Sequence, residues 1–473
     1  MWGATIASGR VDQGIDTTVF GEDSRNERGD RVGIRQVDDF GGDIFIFDFI
    51  ARATDSCDDA RASTSQIDRN RAAQVASSAG HDTDLPGQIT FLAIRHRCIP
   101  IELSSHDCDA SEMNPNDPRH FLFLTATPLD VSKGSGTYMG ITVLQRALME
   151  RGCRVQILSL DDRFRSQSYT VRRLLFNAGI ARSVAISRPD VCVGFDLDGF
   201  LLQHVPGIPV IQSIKGVVGD ELTFEAGSVR ASLWLQSRAE MIAVHRADQV
   251  MTTSRFAAER IGHHYGYRKP IAIVPEAIDL NVWERVNPRQ SIDRPVRPTV
   301  LCVAHLYPRK DVASLVRAMR VLTDRGRDCD ARIIGHGPCQ SDIARLVEQL
   351  NLGHRVRVEG HVPFATLAEA YQQSTVFCLP SRQEGFGIVY LEAMAAGLPI
   401  VACRTAAVPE VVPDGECGLL AEPGDPIALA NELEKVLFNP PYARQLGANG
   451  REHVRQFDKT LLADRFLRAI EVS

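Results

Sequence analysis

The sequence lacks the features that would mark a zinc site, a membrane span or a nucleic-acid surface. None of its eleven cysteines belongs to a C-x-x-C pair or to a Cys/His cluster at zinc-ligand spacing. No stretch approaches the roughly 20 apolar residues that a membrane helix requires. A formal net charge of −6 over 473 residues gives no strong field, which argues against nucleic acid as the main partner.

The cysteines and the first residues also bear on the compartment. Cys302, Cys378 and Cys403 lie in or beside apolar runs typical of sheet strands, so we expect buried thiols rather than catalytic thiolates. Residues 1–10 lack the long apolar segment of a signal peptide. We therefore expect a protein of the reducing cytoplasm, either soluble or peripheral at the inner face of the membrane.

One basic segment bears on the peripheral alternative. Four arginines and an apolar run together resemble an amphipathic face that contacts membranes, whereas the more ordinary interpretation is a solvated helix face. The residues concerned are Arg163, Arg165, Arg172, Arg173, Leu174, Leu175 and Phe176.

Length and composition indicate two globular domains with additional sequence. Hydrophobic residues make up 44% and charged residues 24%, as in ordinary globular proteins, and 473 residues exceed what one core usually organises. Residues 1–118 are rich in Asp, Arg, Ser and Gly and have no repeating α/β pattern, so we expect a disordered or poorly structured extension. Met113 offers a second explanation, in which translation starts there and the upstream region is not part of the protein.

From Phe121 onward, short apolar runs alternate with helical periodicity, which is typical of parallel sheets covered on both faces. We predict an α/β protein with two facing Rossmann-like, doubly wound domains and a cleft between them. The first covers residues 119–280, and the second covers 299–456. Residues 281–298 are polar, contain prolines and lack a core pattern, so they are interpreted as the linker. The amphipathic segment 457–473 is predicted as a helix that crosses back to the first domain.

The strongest candidate for chemistry is the segment 380–402 (PSRQEGFGIVYLEAMAAGLPIVA), where a strand is followed by a glycine-bearing turn and a helix. Glycines allow close approach of the backbone to a ligand, and free N–H groups at a helix start bind anions such as a diphosphate. Glu384 precedes the helix, and Glu392 lies eight residues later on it. Carboxylates accept hydrogen bonds from vicinal hydroxyls, so the pair suits a ribose at one end of a ligand and a sugar ring at the other.

This segment resembles the retaining GT-B glycosyltransferases of family 4, which include glycogen synthase-like and phosphatidylinositol mannosyltransferase-like enzymes. Their hallmark is a glutamate pair separated by seven residues, which Glu384 and Glu392 match. The resemblance covers about residues 121–473 and includes Pro409-Glu410 and 418–420. It implies that Glu384 contacts the transferred sugar and that Glu392 holds the ribose. The backbone contacts with diphosphate and sugar would come from Gly385, Phe386, Gly387, Ile388 and Val389.

The resemblance implies further donor contacts at the ends of other strands in the second domain. Lys310, in the loop AHLYPRKD, matches the family's phosphate-binding lysine, whereas His305 stands where an arginine is usual. Gly335, in a G-H-G-P turn, matches a glycine loop that lines the donor cleft. Val362 matches a position whose backbone meets the nucleotide base.

In the first domain, the loop KGSGT with Gly134 and Gly136 is expected to face the cleft, approaching the donor phosphates or the acceptor. Lys215-Gly216 stands where a histidine-glycine pair is common. Lys215 is expected to bond a sugar hydroxyl, to steady a phosphate, or to bind an acceptor that carries negative charge. Asp196 and Asp198 are placed on the acceptor side, and a metal-binding role for them is discounted.

The segment 275–279 (PEAID) replaces the P-N-G-I-D that is common at the exit of the first domain, and it is interpreted as a hinge. Taken together, the resemblance implies transfer of a hexosyl unit from a nucleoside diphosphate sugar to an acceptor hydroxyl, with retention of configuration and without metal or cofactor. The acceptor would be a glycan, a lipid-linked molecule or a small molecule, and the donor a UDP, GDP or ADP sugar. A nucleotide-sugar epimerase and a non-catalytic sugar-nucleotide-binding protein are the alternatives.

Overall fold

A computed structural model describes residues 118–127, 136–160, 169–202, 206–286 and 297–471, which belong to one compact unit. The predictions for the extension 1–117, including Met113, lie outside the described residues. So do Gly134, Arg163, Arg165 and residues 287–296 of the linker.

The first domain is built on a parallel sheet of six strands in the order β2-β1-β3-β4-β5-β6. The strands are β1 (His120–Thr125), β2 (Arg154–Ser159), β3 (Val191–Phe195), β4 (Val210–Ile214), β5 (Gln249–Thr252) and β6 (Ile271–Ile273). Its helices are α1 (Gly136–Glu150), α2 (Tyr169–Ser187), α3 (Val218–Glu221), α4 (Gly227–Arg246) and α5 (Arg255–Tyr265), with a 3₁₀ turn at Leu222–Phe224. Strands β3 and β4 are buried throughout, as expected where helices cover both faces of a sheet.

The second domain repeats this design with the strand order β12-β11-β10-β7-β8-β9. The strands are β7 (Thr299–Val303), β8 (Asp330–Ile334), β9 (Val356–Gly360), β10 (Val376–Leu379), β11 (Ile400–Cys403) and β12 (Gly418–Ala421). The helices are α6 (Leu280–Val286), which precedes the sheet, α7 (Val312–Asp324), α8 (Gln340–Gln349), α9 (Phe364–Gln373), α10 (Ile388–Ala395), α11 (Val408–Val411), α12 (Pro426–Leu437) and α13 (Pro440–His453). Two parallel-sheet α/β domains confirm the predicted fold class.

The linker prediction was wrong at its beginning. Residues predicted to lack a core pattern form α6, and Trp283 on this helix is buried. Its indole ring makes edge contacts with Tyr371, at a centroid distance of 5.2 Å, and with Phe364, at 5.9 Å. Aromatic contacts of this kind stabilise packing beyond the area they bury. The start of the linker is therefore fixed to the second domain.

The chain crosses between the domains at two adjacent points. After the 3₁₀ turn Val454–Phe457, helix α14 (Lys459–Glu471) returns to the first domain, where Phe466 is buried against Phe121. Ile278, at the exit of the first domain, bonds through its backbone to Phe457 and Lys459. The Lys459 ammonium also binds Asp279 at 2.9 Å. The outgoing and returning segments are thus joined to each other.

The cysteines predicted to be buried thiols are free and buried. Cys302, Cys378 and Cys403 lie in the strands of the second sheet. Burial raises the pKa of Cys302 to about 12, which leaves the thiol protonated at neutral pH. These residues act as small apolar side chains in the core.

Candidate active site

The candidate site begins where β10 ends and α10 starts. Gly387 precedes the helix with φ +91, a left-handed conformation that a residue with a side chain would adopt only under strain. A methyl group there would also meet the Tyr390 ring at 2.5 Å. This glycine therefore fixes the sharp entry into α10, which leaves Glu384 before the helix and Glu392 on it.

Glu384 and Lys310 are brought together by folding. The Lys310 ammonium, at the end of the 3₁₀ turn Pro308–Lys310 after β7, lies 2.5 Å from Glu384 Oε2. Both side chains are about nine-tenths buried, and the Ser381 hydroxyl donates a longer bond of 3.4 Å to the same oxygen. A charge-assisted contact with little exposure to water holds both groups in defined positions.

Glu392 occupies a different environment. It is buried on α10, where its Oε2 accepts a 2.9 Å hydrogen bond from the Tyr371 hydroxyl. Burial raises the pKa of Glu392 to about 7, because removal from water disfavours the charged carboxylate, and the Tyr371 bond opposes this only in part. Glu384 and Glu392 thus have unlike partners, one a cation and the other a neutral hydroxyl.

Gly385 is a point of contact between the two domains. Its carbonyl oxygen accepts hydrogen bonds from the hydroxyls of Ser254, at 2.9 Å, and Thr253, at 3.3 Å. Ser254 is also the N-cap of α5, where its hydroxyl accepts a bond from the Ala257 amide. A methyl group on Gly385 would lie 2.9 Å from the Lys215 carbonyl oxygen. Only glycine leaves room for this close approach.

Two residues that were not predicted as site residues, Glu410 and Arg309, form further contacts between the domains. Glu410 accepts hydrogen bonds from the backbone amides of Arg255 and Phe256, at the start of α5. Arg309, next to Lys310, lies 3.1 Å from Glu221 of the first domain. The adjacent basic pair in PRKD was a signal for Arg309. The partners of Glu410 lie more than 150 positions away in the sequence, so the role of Glu410 could not be predicted from the sequence.

The remaining predicted donor residues lie at the carboxyl ends of β7, β8 and β9. His305 follows β7, Gly335 follows β8 and Val362 follows β9. The His305 ring contacts the His336 ring at a centroid distance of 4.9 Å, and His336 in turn contacts His361 at 6.1 Å. Ligands of parallel α/β sheets bind at this edge, so the placement suits a donor site. Phe386 and Ile388 are buried, and Val389 packs partly buried against the core.

In the first domain, Gly136 begins α1 and is exposed. The side chain of Lys215, after β4, is only 7% exposed, and its ammonium lies 2.8 Å from Glu276 Oε1. These are two positions at which the sequence departs from the family pattern, and they form an ion pair with each other. The pairing was not predicted from the sequence, because β5 separates the two strand ends in the sheet.

The assignment of Asp198 and Arg173 to exposed surfaces was wrong. Asp198 is fully buried and forms two hydrogen bonds of 2.9 Å with the Arg173 guanidinium, so it cannot line an open acceptor surface. Asn177 and the Ala126 amide also donate to Asp198. Arg173 is therefore part of the core and not of a basic face for membranes. Asp196 accepts a bond from the Lys215 amide, and burial raises its pKa to about 6.

Among the described residues, no helix combines the length and the apolar character needed to cross a bilayer.

Two family models match nearly all of the described two-domain region. "Glycosyltransferase Family 4" matches residues 135–282, and "Glycosyl transferases group 1" matches residues 286–453. The boundary between the two matches falls at the crossing between the domains.

Curated relatives match parts of the chain. A GDP-mannose-dependent alpha-(1-6)-phosphatidylinositol monomannoside mannosyltransferase of Mycolicibacterium smegmatis is 31% identical over 217 residues, which are 43% of this chain and 57% of that protein. A D-inositol 3-phosphate glycosyltransferase of Corynebacterium diphtheriae is 26% identical over 56% of this chain and 66% of that protein. The chain thus spans somewhat more than half of the length of the curated relatives it matches.

Solved structures share the fold. Sucrose-phosphate synthase from Thermosynechococcus elongatus superposes with a TM-score of 0.63 at 22% identity, covering 75% of this chain and 98% of that one. Anabaena HepE in complex with UDP-glucose superposes with a TM-score of 0.58 at 16% identity, covering 75% and 100%. The two adjoining family matches, over residues 135–282 and 286–453, show that the chain belongs to the family 4-type glycosyltransferases, and the solved structures show that it has the GT-B fold.

Proposed function

We propose that this protein transfers a hexosyl unit from a nucleoside diphosphate sugar to an acceptor hydroxyl, with retention of anomeric configuration. The contact between Lys310 and Glu384 at the start of α10 carries the proposal. One of these groups suits a phosphate and the other suits a sugar hydroxyl, so the pair marks the junction between diphosphate and sugar. The relatives named for mannosyl and inositol phosphate substrates support the same class of chemistry.

The main task of such a site is to stabilise the departing diphosphate. Negative charge accumulates on the leaving group, and fixed cations aimed at it are usually the largest contribution to catalysis. Lys310 retains two N–H donors beyond its bond to Glu384. Arg309 lies beside Lys310 in the 3₁₀ turn after β7 and supplies a second cation. Retention of configuration is explained by a same-face mechanism, in which the acceptor hydroxyl attacks from the side on which the diphosphate leaves. The departing phosphate then takes the proton of this hydroxyl, so departure and attack share one charged centre.

Purified protein incubated with UDP, GDP and ADP sugars tests this function. Released nucleoside diphosphate is measured with and without glycan, lipid-linked and small-molecule acceptors, and GDP-mannose with an inositol phosphate acceptor is one arm. We expect release that depends on an acceptor and a product whose anomeric configuration, read by proton NMR, equals that of the donor. Release of an altered free sugar without acceptor would indicate an epimerase. Binding without turnover of any donor would indicate a binding protein.

The proposed ribose contact of Glu392 predicts a pH dependence of donor binding. The ribose hydroxyls require the ionised carboxylate, whereas the unliganded protein holds this group at a pKa of about 7. We expect the donor dissociation constant to rise about tenfold as the pH falls from 8 to 6, because protonation competes with the ligand. Calorimetric titration across this range measures it.

The Glu392→Gln variant is the control for this pH dependence. It should bind donor more weakly and with a dissociation constant that no longer changes with pH. The stability of the unliganded protein should change with pH in the opposite direction to donor binding. Folding raises the pKa of Glu392 from 4.5 to about 7, so its protonated form stabilises the folded protein fully below pH 4.5, and this contribution is lost as the pH rises through 7. A pH dependence of binding that survives in the glutamine variant would assign the effect to another group.

A further inference from the structure

The ion pair between Lys215 and Glu276 lies at the carboxyl edge of the sheet of the first domain. Lys215 follows β4 and Glu276 follows β6, so both come from the carboxyl edge of the parallel sheet, where ligands of such sheets bind. Their side chains are only 7% and 5% exposed, and the charged atoms are 2.8 Å apart. Since the charges compensate each other, the pair can be buried as a neutral unit.

The pair keeps unused hydrogen-bonding capacity. Glu276 Oε2 is buried and has no hydrogen-bond partner within the part of the chain that the structure describes. A buried carboxylate oxygen without a partner is costly, and such groups in native proteins require an explanation. The Lys215 ammonium uses one N–H on Glu276 Oε1, and it lies 5.9 Å from the centre of the Phe195 ring. One acceptor and further donors therefore remain side by side.

The ion pair is packed against a glycine on one side and against the loop that carries Glu384 on the other. Gly140 on α1 lies directly against Glu276, and a methyl group at this position would overlap Glu276 Oε2. The Lys215 carbonyl oxygen is 2.9 Å from where a methyl group on Gly385 would lie. Lys215 is thus in contact with the loop that carries Glu384, on the opposite side of the interface between the domains.

We infer that Lys215 and Glu276 together form a specificity-determining site for a hydroxyl group of an uncharged sugar. The ammonium donates a hydrogen bond to the hydroxyl oxygen, and the hydroxyl donates a hydrogen bond to Glu276 Oε2, which satisfies both spare groups. Because the pair is neutral as a whole, it offers no net attraction to a carboxylate. The site therefore favours a neutral hexose over a uronic acid, an inference that rests on the proposed function.

Substitution of each partner tests this in opposite directions. Glu276→Gln keeps the shape but leaves an uncompensated ammonium, so the preference should move towards the uronate by about tenfold. Lys215→Met leaves an uncompensated carboxylate and should move the preference towards the neutral sugar by a similar factor. Preference is the ratio of kcat/KM values for two donors with the same base, either UDP-glucuronic acid and UDP-glucose or GDP-mannuronic acid and GDP-mannose.

A purely structural ion pair would give a different result. Loss of a structural pair would lower kcat/KM equally for both donors in either variant and leave the ratio unchanged. That outcome would overturn the inference. Glu240→Gln is the matched control, because Glu240 is a buried carboxylate of the same domain that accepts a hydrogen bond from Tyr265. It should leave the ratio at the wild-type value. Thermal midpoints of all variants identify any that fail to fold.

Two further arms separate the source of the hydroxyl and the fate of the proposed function. If the ratio shifts with neutral and anionic acceptors but not with donors, the hydroxyl belongs to the acceptor, and the inference stands. If the wild type turns over no donor, the proposed function fails while the inference is still measurable as the ratio of dissociation constants for the same two donors. A ratio equal in wild type and both variants, by kinetics and by binding, rejects it.

Discussion

Replacement of Glu384 by glutamine, or of Lys310 by methionine, is expected to lower kcat/KM for the nucleotide sugar by about 10²–10³. Glutamine removes the charge that holds the ammonium in place, and methionine removes the cation itself while leaving Glu384 as a buried, unpaired carboxylate. Since the two groups touch, their effects should not add. The double variant is expected to lose little more activity than the worse single variant.

Release of nucleoside diphosphate at saturating acceptor measures this effect, with thermal unfolding as a check on the fold. Glu434→Gln is the control, because Glu434 pairs with Arg325 and Arg327 in the same domain but is not part of the site. Its rate should equal that of the wild type. Unchanged rates in both Glu384→Gln and Lys310→Met would overturn the assignment of the site, and strictly additive losses would show that the two residues act independently.

Most of the fold was predictable because parallel strands buried on both faces leave a strong local pattern. Runs such as Phe121 to Leu124 and Val376 to Leu379 are apolar without interruption, and both lie in strands. The start of the linker was missed because a single tryptophan among polar residues gives no periodic signal, although Trp283 packs against two aromatic rings. The strand β12 was not identified because its sequence GLLA opens with Gly418 and contains no β-branched or aromatic residue, so it gives no strand signal.

The site was predictable where it is continuous in sequence and not where it depends on pairing across the fold. Glu384, the glycine turn and Glu392 lie within one strand-turn-helix unit, so spacing alone relates them. The bonds from Ser254 to Gly385, and from the start of α5 to Glu410, join residues about 130 to 155 positions apart. Paired aspartates at 196 and 198 suggested a common surface role, yet burial assigns Asp198 to the core.

The largest effect on stability is expected at Asp198. Replacement by asparagine should lower the free energy of unfolding by about 3–5 kcal/mol, because it leaves the buried guanidinium of Arg173 without the carboxylate that binds it directly. The neighbouring Asp196 accepts a hydrogen bond from the Lys215 amide. The group formed by Arg173, Asp196 and Asp198 therefore also supports the loop that carries Lys215. We therefore expect the loop that carries Lys215 to be less well fixed, in addition to a lower stability of the domain.

Urea unfolding monitored by circular dichroism measures this loss. Replacing both Arg173 and Asp198 by leucine should cost less than Asp198→Asn, because the buried guanidinium is removed together with the carboxylate that binds it. Asp324→Asn is the surface control: this residue pairs with Arg320 four positions earlier on an exposed face of α7, and its loss should leave the unfolding midpoint unchanged. If Asp198→Asn were as stable as the wild type, the Arg173 charge would have to be compensated by Asp196 or by water, and the pair of Arg173 and Asp198 would not anchor this part of the domain.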